Sequence, residues 1–84
     1  MIGLLAVSRA GHDRDNAYVI IGEEEEYVYL ADGLIRTVDR PKKKNKKHIQ
    51  IIKKIRMDKP AGGFKDLEIK RTIKAYQEGA NVKS

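Results

Sequence analysis

Short runs of β-forming residues, separated by short polar connections, recur through the first 55 residues of this chain. The runs are rich in Val, Ile, Leu and Tyr, and each ends at Gly, Pro, Asp or a group of charges. The predicted strands are residues 4–8, 17–21, 27–31, 34–38 and 49–52. Their connections are too short for the crossover helices that parallel strands need. Five antiparallel strands in so short a chain favour a closed barrel, because closure removes the unprotected edges of a small sheet.

Three connections carry recognisable turn signals. Asp32-Gly33 is the strongest short-range signal for a two-residue type I′ hairpin, and it predicts that residues 34–38 return as a strand. Gly11 lies in the polar connection between the first two predicted strands, where we expect it to adopt a positive φ angle. The four consecutive glutamates 23–26 repel one another and are expected at a solvated hairpin tip.

One helix is predicted near the C-terminus. A capping Asp66 precedes Ile69, Ile73 and Tyr76, which recur at helical spacing and form an apolar stripe. Gly79 is the expected stop signal. The predicted organisation is a barrel at 1–55, a linker at 56–65, a helix at 66–78 docked on the barrel, and a flexible tail at 79–84.

Positive charge is concentrated in one part of the chain. Residues 1–35 hold two basic and seven acidic side chains, net −5, whereas residues 36–84 hold sixteen basic and five acidic, net +11. Five of the lysines follow Pro41 closely: Lys42, Lys43, Lys44, Lys46 and Lys47. We expect them in a loop outside the core, and we expect most of them to lack internal acidic partners. Such a loop neutralises phosphates, so the pattern points to nucleic acid as the partner.

The inventory of reactive side chains argues against an enzyme. The chain has no Cys, only His12 and His48 as imidazoles, and neither a catalytic triad set nor a phosphate-cradling glycine motif. We therefore expect a non-catalytic protein with no cofactor and no metal site. No apolar run approaches the roughly 20 residues of a membrane span, and the N-terminus does not resemble a signal peptide. A cytoplasmic protein, monomeric when free and without a membrane partner, is expected.

RNA is favoured over DNA because no recognition helix is predicted and small barrels meet RNA through loops and strand faces. Besides the lysines, Arg9, Arg14, Arg36 and Arg40 are candidates for bidentate phosphate contacts, and His12 is a candidate for stacking on an unpaired base. The alternative is a protein-interaction module that grips an acidic surface of a translation or transcription factor. That function needs an exposed aromatic or apolar groove, and four Tyr and one Phe are a small supply.

The stretch from Gly3 to Gly22, GLLAVSRAGHDRDNAYVIIG, resembles the KOW motif, with Gly11 at the position of the motif's fixed glycine. Together with YLADGLIRTVDRPKKKNKKH, it closely resembles small bacterial KOW-domain RNA-binding proteins, which are similar to the large-subunit ribosomal protein fourteen family of eukaryotes and archaea. The resemblance implies an SH3-like barrel and structured, ribosomal RNA as ligand, with the ribosome or translation machinery as the setting. It also implies contacts from the KOW loop, residues 8–14, and from the basic loop. Asp15 departs from the second glycine of many KOW loops.

Overall fold

A single five-stranded antiparallel sheet and one C-terminal helix make up the fold, which confirms the predicted mainly-β class. The computed structural model describes residues 1–11, 16–58 and 60–82. The strands are β1 (Leu4–Ser8), β2 (Ala17–Glu23), β3 (Tyr27–Ala31), β4 (Lys42–Asn45) and β5 (Ile49–Arg56). A 3-10 helix, Lys46–His48, joins β4 to β5, and the α-helix α1 (Asp66–Val82) follows. No helix within these residues is long and apolar enough to cross a membrane.

Chain connectivity curls this sheet into a barrel-like shape. The strand order β4-β3-β2-β1-β5 puts β4 and β5 at opposite edges, which in a flat sheet would lie about 19 Å apart. Only Lys46–His48 join the two strands, and three residues of 3-10 helix span about 6 Å. The two edges must therefore curve toward each other. Consistent with this curvature, the Lys44 Nζ on β4 donates to the carbonyl oxygen of Ala10, just beyond β1, at 3.0 Å.

Both faces of the curved sheet are buried. Alternation along β3 turns Val28 and Leu30 inward, where they are fully buried, and Tyr27 and Tyr29 outward. The inner cluster consists of Ala6, Tyr18, Ile20, Val28 and Leu30, with Leu4, Ile49 and Ile51 packed against it. The outer cluster is covered by α1 and consists of Leu5, Ala17, Val19, Ala31, Ile69 and Ile73. Tyr76 packs beside this outer cluster, so the predicted docking stripe of the helix is confirmed.

The predicted strand at 34–38 is wrong. Asp32 Oδ1 accepts hydrogen bonds from the backbone N–H groups of Leu34 at 2.9 Å and Arg36 at 2.8 Å. The backbone N–H groups of Asp32 and Gly33 both bond to the carbonyl oxygen of Arg36, at 2.8 and 3.2 Å. These bonds close residues 32–36 into a compact turn, because the aspartate side chain takes the donors that a returning strand would offer.

The lysine stretch forms the fourth strand instead, so the expected loop is also wrong. β4 pairs antiparallel with β3, with Lys42 opposite Leu30 and Lys44 opposite Val28. Lysine has a low intrinsic preference for strands, but without β4 the hydrogen-bonding edge of β3 would have no partner. Lysines also suit an edge strand, since their charges discourage pairing with another chain.

The helix begins at the predicted Asp66 but runs to Val82, past the expected end at residue 78. Gly79 is helical and does not act as the stop. The segment 56–65 contributes to the core, because Met57 and Phe64 both pack against the outer cluster. The helix is therefore held at its N-terminal side by the chain that leads into it as well as by its own stripe.

Candidate functional site

The five lysines do not lie on one surface. Lys42 and Lys44 lie on the inner face of the sheet beside Leu30 and Val28, and both are half-buried. Lys43 lies on the outer face and is exposed. This alternation follows from the period of two along a strand, which splits any continuous run between two faces. A single ligand surface cannot use Lys42, Lys43 and Lys44 equally.

Two of these lysines have internal acidic partners, so the expectation that such pairing would be absent is wrong for Lys43 and Lys46. The hairpin between β2 and β3 places the glutamate tip beside β4. Lys46 Nζ lies 2.8 Å from Glu23 Oε2, and Lys43 Nζ lies 3.9 Å from Glu24 Oε1 and 4.5 Å above the ring of Tyr27. Part of the basic stretch is therefore neutralised by the acidic run that precedes it in sequence.

Further contacts order the glutamate tip. The N-terminal ammonium lies 3.1 Å from Glu23 Oε1, and Tyr29 donates its hydroxyl to Glu24 Oε2 at 2.5 Å. The hydrogen bond from Lys46, with that from the N-terminus, lowers the pKa of Glu23. The hydrogen bond to Glu24 raises the pKa of Tyr29. The predicted solvated tip is confirmed, and Glu25 and Glu26 are exposed on it.

A second set of basic side chains is exposed along β5 and around its start. We call this set the basic edge: Arg9, Lys47, Lys53, Lys54 and Arg56. None of them has an ion pair with an acid among residues 1–11, 16–58 and 60–82. The backbone N–H of Arg9 donates to the carbonyl of His48 at 2.8 Å, and its Nη1 donates to Gln50 Oε1 at 2.6 Å. These bonds hold the arginine along the start of β5.

The middle of the basic edge lies at a bulge in β5. Leu5 pairs with Ile52 and Leu4 pairs with Arg56, so residues 53–55 are extra on the β5 side. Ile55 packs against the outer cluster, while Lys53 and Lys54 are exposed. A bulge of this kind re-aims side chains and interrupts edge pairing. Protection of the sheet edge alone would explain lysines at these positions. The case for binding therefore depends on the further observation that the whole edge lacks acids.

The start of the loop at residues 8–14 is tied to the barrel. Gly11 has a φ of +81°, which confirms the expected positive φ. The fully buried Ser8 donates its Oγ to the carbonyl oxygen of Ala10 at 3.1 Å, and Lys44 donates to the same oxygen. The predicted contact residues His12 and Arg14 lie outside the described residues.

The two remaining predicted contacts lie between β3 and β4. Arg36 is half-buried in the turn 32–36, and Arg40 is exposed, with its backbone N–H bonded to Thr37 O at 3.0 Å. Of the predicted contact residues, the structure thus brings Arg9 and Lys47 together along β5. Sequence reasoning omitted Lys53, Lys54 and Arg56. The signal that could have found them is the stretch 40–57, which contains no acid at all.

No three potential metal ligands gather anywhere in the part of the chain that the structure describes. No protein-family model matches this chain, and neither does any curated protein. The resemblance to KOW-domain proteins rests on the residues quoted for it above.

Proposed function

We propose that this protein is a non-catalytic RNA-binding protein whose principal contact surface is the basic edge. The observation that carries the proposal is the separation of charge around the barrel. At the glutamate tip, Lys43 and Lys46 have acidic partners, whereas the basic edge has none among the described residues. An exposed row of unpaired cations attracts a polyanion, because phosphate binding releases counterions.

The extent of the basic edge suits a nucleic-acid strand. β5 spans eight residues, which corresponds to about 25 Å, with Lys47 and Arg9 near its start and Arg56 at its end. Several consecutive phosphates fit along such a length. Two arginines at the ends add forked donors suited to phosphate oxygens, while the lysines act as point charges.

RNA is the better candidate than duplex DNA. Among the described residues α1 is the one α-helix, whereas a helix-turn-helix DNA-binding protein needs a second helix beside its recognition helix. The Gly3 to Gly22 resemblance to the KOW motif supports the same choice, and it favours structured, ribosomal RNA in the cytoplasm as the ligand.

Electrophoretic shift assays with ribosomal RNA, a tRNA and duplex DNA test this function. We expect ribosomal RNA to bind most tightly, and Lys53→Glu with Lys54→Glu to weaken its binding about tenfold or more. A matched control, Lys70→Glu with Lys74→Glu, makes the same charge change on α1 and should retain RNA binding. Equal affinity for duplex DNA, or undiminished RNA binding by the β5 variant, would contradict the proposal.

A further inference from the structure

The turn 32–36 leaves large apolar side chains in solvent beside α1. Ile35 is 84% exposed, Leu34 is 61% exposed, and Leu67 on the first turn of α1 is 56% exposed. The chain has few other large apolar side chains so exposed; the remaining ones within the described residues are Met1 and Tyr27. A cluster of exposed aliphatic groups is typical of a surface that contacts another molecule.

Of these three side chains, Leu34 lines a groove between the turn and the helix. The groove has a volume of about 350 Å³ and is lined on the apolar side by Ala17, Leu34 and Ile73. Its polar lining includes Lys70 and Lys74, which are four residues apart and therefore lie on one side of α1. Apolar groups beside a pair of cations match the arrangement of a protein–protein interface, which has an apolar centre and a charged rim.

The turn is fixed in place against the helix. Gly33 has a φ of +80°, and a Cβ there would lie 2.3 Å from Asp66 O and 3.1 Å from both the backbone N and the Cβ of Lys70. The backbone N–H of Val38 donates to Asp66 Oδ1 at 2.8 Å. Leu34 follows Gly33 and Leu67 follows Asp66 in the chain, so both exposed residues lie beside this close contact. A surface held this way loses little conformational freedom on binding.

The charge of this surface selects its partner. Lys70, Arg71 and Lys74 are exposed and have no ion pair with an acid in the described parts of the chain. The one acid of the groove lining, Asp32, uses Oδ1 to accept two backbone N–H groups of its own turn. The groove is thus positive and partly apolar, which complements a negative and partly apolar chain.

We propose that this groove is a docking site for an acidic protein segment that carries apolar side chains. The apolar side chains of the partner contact Leu34, Ile35 and Leu67, and its carboxylates face Lys70 and Lys74. This is the helix-in-groove or extended-peptide mode of recognition, with charge providing the orientation. The site lies on α1 and the turn 32–36, whereas the basic edge lies on β5, so the protein can hold RNA and a protein partner on separate surfaces.

Fluorescence anisotropy with labelled synthetic peptides tests the docking site. One panel contains short peptides of glutamate, leucine and phenylalanine in several orders, and a matched panel replaces every leucine and phenylalanine by serine. We expect peptides of the first panel to bind, and the serine panel to bind at least about tenfold more weakly. Equal binding of both panels would mean simple attraction of polyanions and would overturn the proposal. The proposal would also be overturned if no peptide of the first panel bound with a Kd below about 1 mM.

Three variants test whether the peptide binds in the groove. Leu34→Ser with Ile35→Ser, and separately Lys70→Glu with Lys74→Glu, should each weaken peptide binding about tenfold. Lys53→Glu with Lys54→Glu should retain it while losing RNA. Circular dichroism checks that each variant is folded, and the apolar pair is exposed, so no loss of fold is expected. If the Lys70 and Lys74 variant loses RNA as strongly as the Lys53 and Lys54 variant, the groove belongs to the nucleic-acid interface and the docking proposal fails.

Discussion

At the scale of single residues, the close contact between Gly33 and the first turn of α1 governs how the helix sits on the barrel. Gly33 is both in the left-handed region, with φ +80°, and too close to Asp66 O to accept a Cβ. Gly79 offers a matched comparison, because a Cβ there would meet nothing within 4 Å. The same substitution of glycine by alanine can therefore be compared in a crowded, strained position and in an open helical one.

Gly33→Ala should destabilise the protein by about 2 to 4 kcal/mol, because it combines backbone strain with a steric clash. Gly79→Ala should instead stabilise it by up to about 1 kcal/mol, since alanine favours the helix more than glycine. Urea unfolding curves of both variants measure these changes. Equal effects at the two positions would contradict the packing described for the turn.

Lowering the pH should weaken the contacts of the glutamate tip by protonating Glu23. Its pKa is lowered below the ordinary value of 4.5, first by the hydrogen bond from Lys46 and then by that from the N-terminus. A lowered folded pKa means that the carboxylate stabilises the fold above about pH 4.5, and that this stabilisation is lost as the pH falls through the folded pKa. Glu23→Gln should therefore lower stability at pH 7 and make little difference at strongly acidic pH.

Thermal unfolding at several pH values tests this behaviour. Glu25→Gln is the control, because it removes the same charge from the same tip and Glu25 has no described ion pair. Its effect should be small at every pH. The role of the Lys46 pair would be refuted by a Glu23→Gln variant whose deficit does not shrink on acidification.

At the scale of elements, β4 shows that a run of lysines can be part of the barrel wall. Lys44 lies opposite the buried Val28, and its ammonium reaches the carbonyl oxygen of Ala10. The methylene stem of such a side chain covers apolar surface while the charge reaches a polar partner. Lys47, in the 3-10 helix after β4, is exposed instead.

Lys44→Ala should cost about 1 to 2 kcal/mol of stability, from lost packing and a lost charged hydrogen bond. Lys47→Ala should change stability by less than about 0.5 kcal/mol, since it removes only exposed groups. Chemical denaturation measures both. Equal and negligible losses would indicate that the lysines lie in a loop outside the core, as the sequence suggested.

At the scale of the whole molecule, the sequence predicted what depends on local apolar patterns. Leu4–Ser8 and Tyr27–Ala31 match their predicted bounds, and the stripe of Ile69, Ile73 and Tyr76 docks as expected. β4 was missed because its inward side chains are lysines, whose pattern has no apolar alternation. The Asp32-Gly33 signal was misleading because the side chain of Asp32 caps the turn from within.

The candidate site was less predictable, since it depends on long-range charge pairing. Glu23 and Lys46 are 23 residues apart, and the pairing of β2 with β3 and of β3 with β4 brings them together. Counting charges along the chain therefore overstated the positive charge that the lysine stretch offers to a ligand, because part of that charge is neutralised. The same count understated β5, whose lysines are fewer but lack acidic neighbours in the described chain.

The most direct measurement is the salt dependence of RNA affinity. With about four or five phosphate contacts on the basic edge, a plot of log K against log salt concentration should have a slope on the order of −3 to −4. Lys53→Gln with Lys54→Gln should reduce the steepness by about 1.4 to 1.8, whereas Lys43→Gln with Lys46→Gln removes the same charge at the glutamate tip and should leave the slope nearly unchanged. If the Lys43 and Lys46 variant flattens the slope and the Lys53 and Lys54 variant does not, RNA binds at β4 and the residues just after it, contrary to the proposed interface.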